Sequence, residues 1–136
     1  MKNALLQMKP IHTDAGLLIL RVFIGLTMLF SHGWGKMARM LDGNFEFVGV
    51  LGLGEAPSLF LAVFAEVICS AFLAVGLFTR FALIPLMTTM LVAVFYIHMD
   101  DPFSKQEFGL LYLIPYIALF LTGPGKFSLD AKLFNS

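Results

Sequence analysis

The stretch LFLAVFAEVICSAFLAVGLFTRFALIPLMTTMLVAVFYIHM, residues 59–99, decides the fold. It holds two apolar runs, Leu59 to Phe78 and Phe81 to Met99, with only Thr79 and Arg80 between them. Each run has the roughly 17 to 25 residues that a helix needs to cross hydrocarbon. A two-residue connection forces such helices into a tight antiparallel hairpin. Two more apolar segments flank the pair, Ala15 to Ser31 before it and Phe108 to Thr122 after it. The last is short for a span unless Glu107 or the following Gly-Pro-Gly lies among the headgroups. The expectation is an all-α integral membrane four-helix bundle, one transmembrane domain over residues 1–136 with spans near 15–34, 58–78, 81–99 and 107–122.

Composition agrees with that solvent. Of the 136 residues 59% are apolar and 13% charged, and the mean hydropathy is +0.87, leaving too few charges to coat a soluble domain. Nine basic residues balance nine acidic ones, and no basic stripe interleaved with aromatics occurs, so nucleic acid is not an expected partner. The lone Cys69 lies within an apolar run, where it reads as a small packing residue. Lys2 and Lys9 precede the first run, but that run is longer than a signal-peptide core and no A-x-A-like site follows, so it is expected to be retained.

Lys2, Lys9, Arg80, Lys126 and Lys132 fall on one side of the bundle, and Lys36, Arg39 and Lys105 on the other. The richer side is expected to be cytoplasmic, which puts both termini inside. The connection from Gly35 to Ser58 mixes glycines with Phe45, Phe47, Val48, Val50 and Leu51. It reads as a partly ordered interfacial loop containing a short helix, a passive surface segment first and a lid over a pocket as the alternative.

Two charges stand where a bilayer disfavours them, at a cost of about 2.5 to 3.5 kcal/mol each. Arg21 lies within the first span, and helical periodicity puts Gly25, Met28 and His32 on its face, with Gly35 and Lys36 continuing the stripe. Its guanidinium is expected either to snorkel toward the inner headgroups or to pair with Glu66. Glu66 is too short to snorkel from the second span, so it must be protonated, paired with a cation or hydrated, and it is the leading functional candidate. His98 closes the third span at the level of His32, Lys36 and Glu107. Trp34, Tyr96 and Tyr112 are then interfacial belt residues or walls of an outward-opening polar pocket. No Cys/His spacing supports a metal or haem site, and LGLGE and TGPGK read as turns, not phosphate loops.

Taken in order, the arginine in LRVFIGLTMLFSHGWGKM, Glu66 in AEVICSAFLAVGLFTR, His98 and the motif LTGPGKFSLD make a set that resembles the DoxX-like membrane proteins over nearly the whole chain. The resemblance implies a four-helix protein of the bacterial or archaeal cytoplasmic (inner) membrane with both ends inside, associated with quinone-linked redox complexes. The expected function is a quinone-linked oxidoreductase component. Glu66, His98, His32 and Arg21 would carry protons and offset charge, while Lys36, Trp34, Tyr96, Glu107 and Tyr112 would hold the quinone. No covalent or metal cofactor is expected. Membrane lipid, a redox partner protein and a second copy of the chain are the expected partners. The alternatives are a membrane scaffold or assembly subunit, and a small-solute or ion transporter.

Overall fold

A computed structural model describes residues 3–134, so Lys2, counted in the charge asymmetry, lies outside the described residues. Among them the chain is helical, without strands. Helices α1 (Thr13–Leu41), α2 (Glu55–Val75) and α3 (Thr79–Ile97) are each long and apolar enough to cross a membrane. Helix α4 (Phe103–Thr122) has 20 residues, with Lys105, Gln106 and Glu107 in its first turns and an apolar run after them. A short α5 (Leu129–Phe134) ends the described chain. The four long helices form a bundle around Ile24, Met28, Cys69, Leu73, Leu83, Leu86, Leu113, Tyr116 and Leu119. Large side chains such as Phe23, Phe81, Phe95 and Leu121 face outward, as lipid-facing positions do.

Two differences from the expected boundaries have physical causes. The first helix does not end near the SHGWGK stretch. A π turn over Leu29–Gly33 absorbs one extra residue and the helix continues to Leu41, taking up the segment expected to form a separate interfacial helix. The α2–α3 turn is Gly76 to Phe78, not Thr79 and Arg80. Gly76 ends α2 in the left-handed conformation, φ 74°, which glycine adopts without steric cost. Asp130, more than 50 positions away in sequence, then caps α3 by accepting from the amides of Phe78 at 2.7 Å and Thr79 at 2.9 Å.

That contact belongs to a knot that closes the bundle at its terminal end. Arg80 donates to the carbonyls of Phe120 and Leu121 at the end of α4. Asp14 accepts from the Lys126 amide at 2.9 Å, and the Asp130 amide donates to the Gly76 carbonyl at 2.8 Å. Arg21 stands at the centre, 1% exposed. Its guanidinium donates to the carbonyls of Pro124 at 2.6 Å, Phe127 at 2.7 Å and Ala74 at 3.4 Å. The expected pairing of Arg21 with Glu66 is therefore not found. The side chain reaches toward the terminal end, as snorkelling requires, but there the tail buries it and supplies backbone acceptors in place of headgroups.

Candidate functional site

At the opposite end of the bundle, beneath the 42–54 loop, the helices enclose a cavity of about 440 Å³. Met28, His32 and Lys36 of α1 line it at steps of four, as do Ala62 and Glu66 of α2 and Thr89, Ala93 and Ile97 of α3. Each of these rows meets a π turn: Leu29–Gly33 in α1, Phe64–Cys69 in α2 and Ala93–Ile97 in α3. A π turn holds an extra residue and recurs at functional sites, and here three surround one cavity. Helices α1 and α2 touch closely at this level. A methyl group on Gly33 would stand 2.7 Å from the Glu66 carbonyl oxygen, so only glycine lets the backbones approach this far.

Glu66 is the buried charge of the site, its side chain 4% exposed. Oε1 accepts from Lys36 Nζ at 2.8 Å, while Oε2 is buried with no hydrogen-bond partner among the described residues. Of the three fates open to Glu66, pairing with a cation is realised, and the cation is Lys36. His32 is half-buried, its ring edge-on to Tyr112 with centroids 5.3 Å apart. Tyr112 in turn packs on Tyr116, whose buried hydroxyl also has no partner among the described residues. His98 enters from the loop after α3, its Nδ1 held 2.7 Å from Asp101 Oδ2.

The structure thus brings Glu66, Lys36, His32, His98 and Tyr112 to one cavity and leaves Arg21, Trp34, Tyr96 and Glu107 out of its wall. Arg21 is in the terminal knot. Trp34 is 53% exposed beside Phe30, and Tyr96 is 52% exposed, positions that suit an interfacial belt. Glu107 is exposed on another side of α4 from the lining residues Lys105, Phe108, Gly109 and Tyr112. Sequence reasoning missed Lys105, Ser58 and the loop. Phe47, Val48, Val50, Leu51 and Leu53 line the cavity, so the segment read as passive contributes to the site. Ser58 pins it, accepting from the Val50 amide at 3.0 Å and donating to the Gly54 carbonyl at 2.6 Å. No local pattern signals contacts of this kind.

The hydrogen bond to His98 holds the Asp101 carboxyl below the usual carboxylate range. A group whose folded pKa is depressed contributes its stabilisation above its unfolded value, about 3.9 for aspartate, and loses it as pH falls through the folded value. The His98 ring is therefore expected to stay fixed at neutral pH and to be released only in acid below that range. Side-chain NMR of His98 checks this: release at neutral pH, or no effect of Asp101→Asn on the ring, would remove Asp101 as its anchor.

The fold and the site define a class, a polytopic helical membrane protein with an ionisable cavity at one end of its bundle. The DoxX family model matches residues 16–99, more than half of the chain, and the protein belongs to the DoxX family. The match covers α1 to α3, with His32, Lys36, Glu66 and His98, and stops before α4 and the tail. A relative from Haemophilus influenzae, known only as an uncharacterized protein, is 30% identical over 126 residues, which cover 88% of this chain and 91% of the relative. No solved structure matches.

Proposed function

We propose that the protein is the quinone-linked component of a membrane oxidoreductase and that the cavity is its quinone site. The observation that carries the reading is the buried Glu66, paired with Lys36 through one oxygen, its other oxygen without a partner among the described residues, in the wall of a largely apolar cavity. The volume lies within the usual range of small-molecule pockets, roughly 300 to 1,000 Å³. A quinone bound there supplies two-electron, two-proton chemistry. Lys36 spends one donor on Glu66 and has others for a ring oxygen. Glu66 Oε2 is placed to take or return a proton, and His98, held through Nδ1 by Asp101, has Nε2 left for a second oxygen. His32 and Tyr112 complete the polar wall.

Electrons come in this reading from a redox partner protein. The loop end faces outward and both termini face the cytoplasm, across the cytoplasmic membrane of a bacterium or archaeon. A second copy of the chain is compatible with this reading, which does not call on it. One observation favours an assembly subunit as the second reading: Arg21, Gly76, Arg80 and the 123–130 motif all gather in the terminal knot, away from the cavity.

The test is titration of a short-tailed ubiquinone analogue into purified protein. Saturable binding is expected, weakened about tenfold by Glu66→Gln and by His98→Ala, the loss of one hydrogen bond each. Absence of saturable binding, or binding indifferent to both substitutions in folded protein, would sink the quinone reading and leave the assembly role.

A further inference from the structure

The cavity has two unlike sides. Lys36, Glu66 and His98, with His32, Lys105 and Tyr112, supply the charged and protic groups, whereas Leu61 of α2 and Thr88 of α3 bring the lining to the surface of the bundle. Leu61 lines the cavity yet is 56% exposed, and Thr88 across from it on α3 is also exposed. The Thr88 hydroxyl donates to its own helix, to the Ile84 carbonyl at 2.8 Å, so its proton is not offered to a ligand. Phe64 and Leu91, three positions on from Leu61 and Thr88 along their helices, are each 45% exposed, as expected of a surface that meets hydrocarbon.

An opening of this kind is a poor container for a water-soluble solute, since its far side is lipid. It suits a molecule whose polar end needs the cavity and whose apolar end is at home in the bilayer. A tail lying across the opening exchanges lipid for an equally apolar wall and so leaves at no cost in transfer energy. We infer that the ligand is a quinone with a long apolar tail, its ring beside Lys36, Glu66 and His98 and its tail passing into the membrane between α2 and α3, across Leu61 and Thr88. This rests on the quinone reading above and adds the tailed, membrane-resident class of ligand and its route. A second groove, about 350 Å³ between α1 and α4, shares Phe108 and Tyr112 with the cavity and is the competing route.

The experiment uses the full chain in nanodiscs and two probes, a dimethoxy-methyl-benzoquinone without a tail and the same ring bearing a ten-carbon tail. Comparing variants in one membrane cancels the partitioning of the tail into lipid. Leu61→Trp and, separately, Thr88→Trp are expected to weaken the tailed probe about tenfold and to leave the tail-less probe within about twofold. A photoreactive group at the end of the tail is expected to label α2 and α3 of the unaltered protein. Equal effects on both probes, no effect on either, or labelling of α1 near Phe23 and α4 near Leu111 would overturn the route while the quinone site stands. Failure of both probes to bind the unaltered protein would remove the site itself.

Discussion

Arg21→Leu is expected to cost about 3 to 5 kcal/mol of stability, because it removes the single donor group shared by three backbone carbonyls in a buried setting. Leucine fills much of the space but leaves the carbonyls of Ala74, Pro124 and Phe127 without that donor, where the bundle and tail now meet. The tail has few apolar anchors of its own: α5 has no fully buried residue. Once Arg21 is gone, the tail is held by the Asp130 cap on α3, the Asp130 amide on the Gly76 carbonyl and Asp14 on the Lys126 amide, and the turn that the cap closes has Phe78 in the left-handed conformation at φ 47°. Arg21→Lys should recover only part of the loss, since one ammonium cannot reproduce the planar fork that spans Pro124 and Phe127. Thermal unfolding in detergent gives the stability, and limited trypsin cleavage after Lys126 reports release of the tail. An unchanged melting temperature and cleavage pattern would show that the knot is ornamental. Weaker quinone binding at full stability would return Arg21 to the cavity.

The second large effect concerns the Lys36–Glu66 pair, and its signature is an asymmetry. Lys36→Met leaves a carboxylate that is 4% exposed and too short to reach water, which should cost about 3 to 5 kcal/mol. Glu66→Gln leaves an ammonium whose side chain is 23% exposed on a flexible stem, free to turn toward solvent, and should cost only about 1 to 2 kcal/mol. The double variant has no orphaned charge, so its cost should fall below the sum of the singles by about 1 to 3 kcal/mol. Unfolding of the four proteins under one set of conditions completes the cycle. Additive losses, or a larger loss from Glu66→Gln than from Lys36→Met, would mean the two groups do not depend on each other.

Both residues illustrate how far local pattern reaches. The apolar runs around Thr79 and Arg80 were enough to predict a helical hairpin, and the cost of an acid in hydrocarbon was enough to single out Glu66 before any contact was seen. The stripe from Arg21 to Lys36 also correctly joined His32 and Lys36 on one face. It could not show that the upper and lower parts of that stripe serve different ends of the molecule, with Arg21 in the knot and His32 and Lys36 in the cavity. Helical periodicity gives the direction of a side chain around the axis, not the partner it meets. Near Glu107 the same limit appears: a charged residue at the right depth lies off the cavity, while Lys105, two positions earlier, lines it.

What the sequence alone determined follows from terms that are local and large: burial of apolar runs, the length of a bilayer-crossing helix, the penalty for an unpaired intramembrane charge, and the motifs of the DoxX family. What only the tertiary structure decided depends on segments far apart in the chain. Asp130 begins α3 by capping it, the tail buries Arg21, the 42–54 loop closes over the cavity, and Lys36 of α1 meets Glu66 of α2 beside a π turn in each helix. Each of these rests on a few hydrogen bonds or one extra residue in a helical turn, energies too small and too distant in sequence to leave a local pattern.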